Sequence, residues 1–186
     1  LELICSAHVD DIKGAARKDV AQRLLKHLND AFGECKNEGT SFMHTGIMLE
    51  HSPGKVVCHQ HAYTDQLRCM DLSSIRGVTD EETVNETLHS GYMSLLGGVA
   101  WTVLTRAEAA IYVQALQRRA HAPRTTDCRR LNVVVRYLQR HKQSLTYEKL
   151  SGDLKLVGFS DAAFRAQEDE PSGLALRGLA VLLTSD

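Results

Sequence analysis

Residues 3–16 alternate in a way that predicts a hairpin. Leu3, Ile4, Cys5, Ala7 and Val9 read as a mostly buried strand and Ile12 to Ala16 as its partner, with the carboxylates of Asp10 and Asp11 at the tip between them. Val20, Leu24, Leu28 and Phe32 then recur at helical spacing, and Gly33 follows as a stop. The run "SFMHTGIMLEHSPGKVVCHQ" predicts two strands joined at "SPG", and "HAYTDQLRCM" predicts a short helix leading into a polar connection over 71–80. Three helices come next. Thr79-x-x-Glu82 has the form of a capping box and predicts the start of the first, which carries Val84, Leu88, Tyr92, Leu95, Leu96 and Val99 on one face. Thr105-x-x-Glu108 repeats the signal for the second, running to about Arg119. Beyond Pro123 the third is expected to bury Leu131, Val134, Val135 and Leu138; its "VVV" would suit a strand, but the surrounding arginines recur at helical spacing. From residue 145 strands return in "LTYEKL", "LKLVGFSDAAF" and "GLALRGLAVLLTS".

Composition adds boundaries to this picture. A chain of 186 residues, 43% hydrophobic and 24% charged, has the make-up of an ordinary globular protein of one sizeable or two small domains. No run of about 18 apolar residues predicts a membrane span, and no charged start with an apolar core predicts a signal peptide. Five scattered cysteines without a C-x-x-C spacing favour free thiols in a reducing, intracellular setting. The first residue is Leu and lies inside a strand-like run, so the expectation is a piece of a longer chain.

Charge changes the picture more. The total is −1, yet between Arg106 and Lys142 nine cations stand against the two acids Glu108 and Asp127, a local excess of +7. Such a block is either a solvated helical face or a surface that tracks phosphates. Two acidic sites flank it. Asp10 and Asp11 at a hairpin tip make a solvated turn or a divalent-metal site, since Mg²⁺ takes hard carboxylate and phosphate oxygens. Asp161 follows an apolar strand where a turn should begin, so a turn cap is its simplest role. Cys58, His59, His61 and Cys69 are zinc-type ligands, but alternate strand residues face opposite sides and form no tetrahedral set. Gly97-Gly98 lacks the spacing of a phosphate loop and predicts a helix break.

Five stretches together resemble one family. "HVDDIKGAA" is similar to the Tyr-Val-Asp-Asp hairpin of copia-type (Pseudoviridae-like) LTR retrotransposon reverse transcriptases, and the helix ending "LNDAFG" follows as it does there. "FMHTGIMLEHSPGKVVCHQHAYTDQL", "SGYMSLLGGVAWTVLTRAEAAIYVQAL", "RRLNVVVRYLQRHKQSLTY" and "LVGFSDAAFRAQEDEPSGLALRG" resemble later segments of the same Pol polyprotein, in the same order. Of these only the Asp-Asp hairpin is a mechanistic signature. His8 departs from the family's Tyr, and "TRAEAAIYV" from its Thr-Arg-Pro-Asp.

The resemblance implies an α+β chain. Residues 1–70 would be the distal reverse-transcriptase palm with its Asp-Asp hairpin and a primer-positioning hairpin at 42–60. Residues 71–143 would be a helical thumb-like connection, and 144–186 the first strands of a ribonuclease H-like sheet. It implies RNA-directed DNA synthesis in the intact parent, with Asp10 and Asp11 holding Mg²⁺ (or Mn²⁺) for nucleotidyl transfer and Asp161 as the first metal-binding carboxylate of ribonuclease H. Arg118, Arg119, Arg124, Arg129, Arg130, Arg136, Arg140 and Lys142 would grip nucleic acid. The partners implied are an RNA template, a DNA primer, their RNA–DNA hybrid and the rest of Pol, with no membrane. The setting implied is intracellular: a cytoplasmic virus-like particle, or the nucleus. An earlier palm aspartate and the fingers are expected before residue 1, and further ribonuclease H acids beyond Asp186, so each active site is expected to be partial and the chain inactive alone. Two alternatives stand beside this one: a non-catalytic nucleic-acid-binding remnant, and a structural or interaction protein.

Overall fold

The computed structural model describes residues 2–9, 11–163 and 176–185. The architecture is α+β, and the chain divides into two compact units, Leu1–Tyr147 and Glu148–Asp186. No helix among the described residues is long and apolar enough to cross a membrane.

The first unit opens with strands β1 (Leu3–His8) and β2 (Asp11–Ala16), paired antiparallel from Leu3↔Ala16 to His8↔Asp11. Helix α1 (Lys18–Phe32) follows and ends where Gly33 turns to φ +89°, a conformation that costs glycine nothing. The expected buried strand is exposed instead. Ile4 is 61% and Ile12 50% accessible, because β1 and β2 form a sheet of their own whose cover is limited to the walls of one open cleft. That cleft, about 890 Å³, runs between Ala7 and Ile12 of the hairpin, Leu24 and Leu28 of α1, and Phe42 of the next strand.

Residues 41–59 differ from the expected hairpin by one strand. They form a meander of β3 (Ser41–His44), β4 (Ile47–Ser52) and β5 (Lys55–His59), which β6 (Leu145–Glu148) extends to the order β3-β4-β5-β6. The missed reversal is Thr45-Gly46, whose φ values of +48° and +76° make a tight two-residue turn between Met43-His44 and Ile47-Met48.

Helices α2 (His61–Gln66), α3 (Glu86–Thr102), α4 (Ala110–Gln117) and α5 (Thr125–Arg140) complete the unit. The last three enclose its core: Leu88, Tyr92, Leu96 and Val99 of α3 meet Val113 and Leu116 of α4 and Leu131, Val134, Val135 and Leu138 of α5. The buried Tyr92 hydroxyl donates to Leu116 O at 2.8 Å, and burial raises its pKa. Burial, with Asp127 beside it, pushes the Cys128 thiol up to about 11.

Neither expected capping box forms. Asn85 caps α3 by accepting from Leu88 N at 3.0 Å, while Glu82 offers its carbonyl to Thr125 N at 2.9 Å. Thr105 instead donates to Gln60 Oε1 at 3.0 Å inside the protein, and Glu108 pairs with Arg106. The first signal lost to a cap six positions further on, the second to a partner 45 positions away. Nor do Gly97 and Gly98 break α3, which runs straight through them. Gly98 is there for closeness: Tyr63 donates to its carbonyl at 3.1 Å, and a Cβ would come within 3.1 Å of Leu67.

The second unit is a ribbon of β7 (Leu154–Ala163) and β8 (Leu176–Ser185), antiparallel from Leu154↔Ser185 to Ala163↔Leu176. Leu154, Leu156, Leu179, Val181 and Leu183 fall on one face by this register, together with Gly158, Ser160 and Ser185 and, at its far end, the paired positions Ala162 and Arg177.

Candidate functional site

The hairpin reversal is tighter than its two carboxylates suggested. His8 pairs directly with Asp11, so Asp11 is the first residue of β2 and not part of the tip. Asp10 lies outside the described residues. Val9, 94% exposed, holds φ +56°. That region is a genuine outlier for a β-branched side chain, and such strain collects at functional turns. Asp11 is exposed, with Lys13 on its own strand and His8 across from it. The His8 ring meets His44 of β3 edge-on, with centroids 6.3 Å apart. Of these residues Asp11 alone offers Mg²⁺ the hard carboxylate oxygen it takes, and that ion keeps most of its waters and needs only one or two carboxylates alongside substrate phosphates. Among the described residues no three His, Cys, Asp or Glu side chains converge on a metal-sized site.

Asp161 is also placed differently from expectation. It lies inside β7, paired with Gly178 and two residues short of the strand's end, so it caps no turn. Its side chain is exposed and shares a face with Lys155 and Phe159.

The basic block divides by what each cation touches. Arg106 is 2% exposed and structural: Nε donates to Glu108 at 2.6 Å, Nη1 to Leu138 O at 3.2 Å, and the guanidinium lies 5.8 Å from the Tyr137 ring centroid. Arg124 pairs with Glu81, Arg129 with Asp80 and Lys142 with Asp65. Arg129 also donates through Nη2 to Ile75 O and Val78 O, at 3.1 and 3.2 Å. Arg118 and Arg119, just after α4, are likewise engaged. On α5 itself, Arg130 makes only a 3.9 Å contact with Asp127, Arg136 lies 3.8 Å from the Cys69 sulfur, and Arg140 is exposed. Arg129, Arg136 and Arg140 share one helical face with the exposed Val133.

Sequence reading missed the acids that meet this block, because they lie 43 to 77 positions away along the chain. Across 61–142 eleven cations face eight acids, so the block's +7 falls to +3 once the packed segment is included. Also missed was the polar edge of α5. Asn132 accepts from Met70 N at 2.8 Å and donates to Met70 O at 2.9 Å, while Gln139 donates to Thr64 O and Leu67 O at 3.2 and 2.9 Å. With Arg129 they bind the backbone of 64–78 as a strap along the helix. Their spacing of three and seven was visible, but a polar stripe on a helix is by default a solvated one.

The histidines near β5 form a pair and not a metal set. His59 and His61 stack at 4.0 Å; His59 Nε2 lies 3.6 Å from Glu50, and His61 Nε2 lies 3.0 Å from Gln143 O. Burial first, then His61, lowers the pKa of His59 below its ordinary value. No protein-family model, curated protein or solved structure matches the chain.

Proposed function

We propose that this chain is the distal palm, thumb-like region and first ribonuclease H strands of a copia-type retrotransposon reverse transcriptase. The carrying observation is the strained, exposed reversal at Val9 with Asp11 beside it, in a hairpin that opens five family-like segments in family order. Asp10 and Asp11 would hold Mg²⁺, or Mn²⁺ in its place, at the primer terminus. The ion supplies stabilisation of charge on the attacking and leaving oxygens. Lys13, half-buried on the same strand, adds a cation next to the incoming phosphates. Arg130, Arg136 and Arg140 would contact the template–primer backbone, and Asp161 would serve ribonuclease H.

The second reading is a non-catalytic nucleic-acid binder. The exposed arginines of α5 favour it, since gripping phosphates needs no carboxylate.

Paramagnetic Mn²⁺ separates the two. Titrated into the chain with an RNA–DNA hybrid, it should broaden amide resonances around Val9 and Ile12, and Asp11→Asn should abolish that effect. A hybrid that binds while those resonances stay sharp would remove the polymerase reading and leave the binder.

A further inference from the structure

We infer that the strap over 64–82 competes internally for the phosphates assigned above to α5: Asp65, Asp80 and Glu81 occupy Lys142, Arg129 and Arg124 until a polyanion displaces them. The inference rests on the nucleic-acid reading and adds a regulation to it. The geometry favours exchange. The three carboxylates are 59%, 62% and 74% exposed, while the cations they hold are 33–38% exposed, so the acids can swing into water as the cations stay in place. Arg129 is held there by the carbonyls of Ile75 and Val78, which leaves Nη1 to present to whichever anion replaces Asp80.

Backbone bonds keep the strap attached when its side chains let go. Asp80 O and Glu82 O accept from Thr126 N and Thr125 N at 3.2 and 2.9 Å, and Val84 N donates to Pro123 O at 3.1 Å. Exchange is therefore a side-chain event and not an unfolding. Exposed ion pairs contribute little to stability, whereas a polyphosphate gains the entropy of released counterions for every cation it takes over. Phosphate oxygens also make strong charge-assisted bonds with guanidinium groups. Carboxylates in these positions thus weaken binding without preventing it, and they raise the threshold of charge a ligand must carry.

The test compares three full-length proteins by fluorescence anisotropy on a labelled RNA–DNA hybrid, from 50 to 300 mM salt. They are the unaltered chain, the strap variant Asp65→Asn/Asp80→Asn/Glu81→Gln, and a control with the same charge change, Asp30→Asn/Glu34→Gln/Asp153→Asn. With Arg130, Arg136 and Arg140 in contact, the unaltered chain should show a log–log slope of about −3. The strap variant should steepen toward about −5 and bind about tenfold more tightly near 0.1 M salt, as freed cations reach further phosphates. The control should stay within about threefold of the unaltered chain, since screening limits distant charges. Glu81→Gln alone, at the most exposed pair, should steepen the slope by about one. Equal slopes in the strap variant and the control overturn the inference while duplex binding stands. Absence of binding by all of them at 50 mM salt overturns the duplex reading and the inference with it.

Discussion

Asn132 offers the sharpest test of how the strap is held. It is 4% exposed on α5, and its amide serves both backbone groups of the half-buried Met70 at 2.8 and 2.9 Å. The amide does for Met70 what a neighbouring strand would do, in a stretch that has no strand. Asn132→Ala removes two hydrogen bonds, worth about 0.5–1.5 kcal/mol each in net terms. It also leaves a donor and an acceptor partly shielded from water, and a fully buried orphan costs about 1–3 kcal/mol. Since Met70 is only half-buried, the combined loss should be about 2–4 kcal/mol. Gln139→Ala is the comparison. It also removes two bonds, but the Thr64 carbonyl keeps its bond from Leu67 N at 3.3 Å and no donor is orphaned, so about 1 kcal/mol is expected. Urea unfolding followed by the single tryptophan, Trp101 in α3, reports on the unit that contains both residues. At an ordinary urea m-value of about 1–3 kcal/mol per molar, Asn132→Ala should move the midpoint down by about 0.7–4 M with the slope unchanged. A shift no larger than that of Gln139→Ala would refute the reasoning that the two-way pairing of Met70 anchors the strap.

Two further outcomes follow from other parts of the first unit. The pKa of His59 is lowered from 6.5, so below that pH the unfolded chain takes up the proton more readily and stability falls; above it the contribution is complete. The urea midpoint should therefore drop between pH 7 and 5 by less in His59→Gln than in the unaltered chain, and equal drops would remove His59 as the cause. Val9→Asn should relieve the positive φ at no cost in packing, raising hydrogen-exchange protection in β1 and β2 about fivefold for about 1 kcal/mol; lowered protection would show that Val9 is not strained.

Much of this architecture was legible where local rules and tertiary partners agree. The spacing of Val20, Leu24, Leu28 and Phe32 with Gly33 marks the end of α1 to the residue, and the apolar stripe of α5 is the stripe that is buried. Legibility ended where another residue, near or distant, overrode a local signal. Thr79 and Thr105 both have the pattern of a cap, but Asn85 takes the first role and Gln60 engages the second threonine. Thr45-Gly46 did carry a turn signal, a polar residue and a glycine between Met43-His44 and Ile47-Met48, but the stronger Ser52-Pro53-Gly54 signal beside it drew the reversal there. At the candidate site, the hairpin could be read but its register could not, so Asp11 was placed at a tip that lies before it. Charge was the least legible property. Counting along the chain sees Arg124, Arg129 and Lys142 as a patch, whereas folding lays Glu81, Asp80 and Asp65 against them.

The ribbon of β7 and β8 carries a cost of its own. One face sets Leu156 beside Leu183 and Leu179 beside Ser160, with Leu156 and Leu179 about three-quarters exposed and Arg177 its one charged position. As a two-stranded sheet it also has an outer edge on each strand. Lysines or prolines usually break such edges against pairing with a neighbour, and here Lys155 alone among the described lysines and prolines interrupts them. The unit is thus a template on which identical ribbons can stack and extend. A net charge of −1 supplies little repulsion between copies, so association of the chain is expected to begin at these twenty residues.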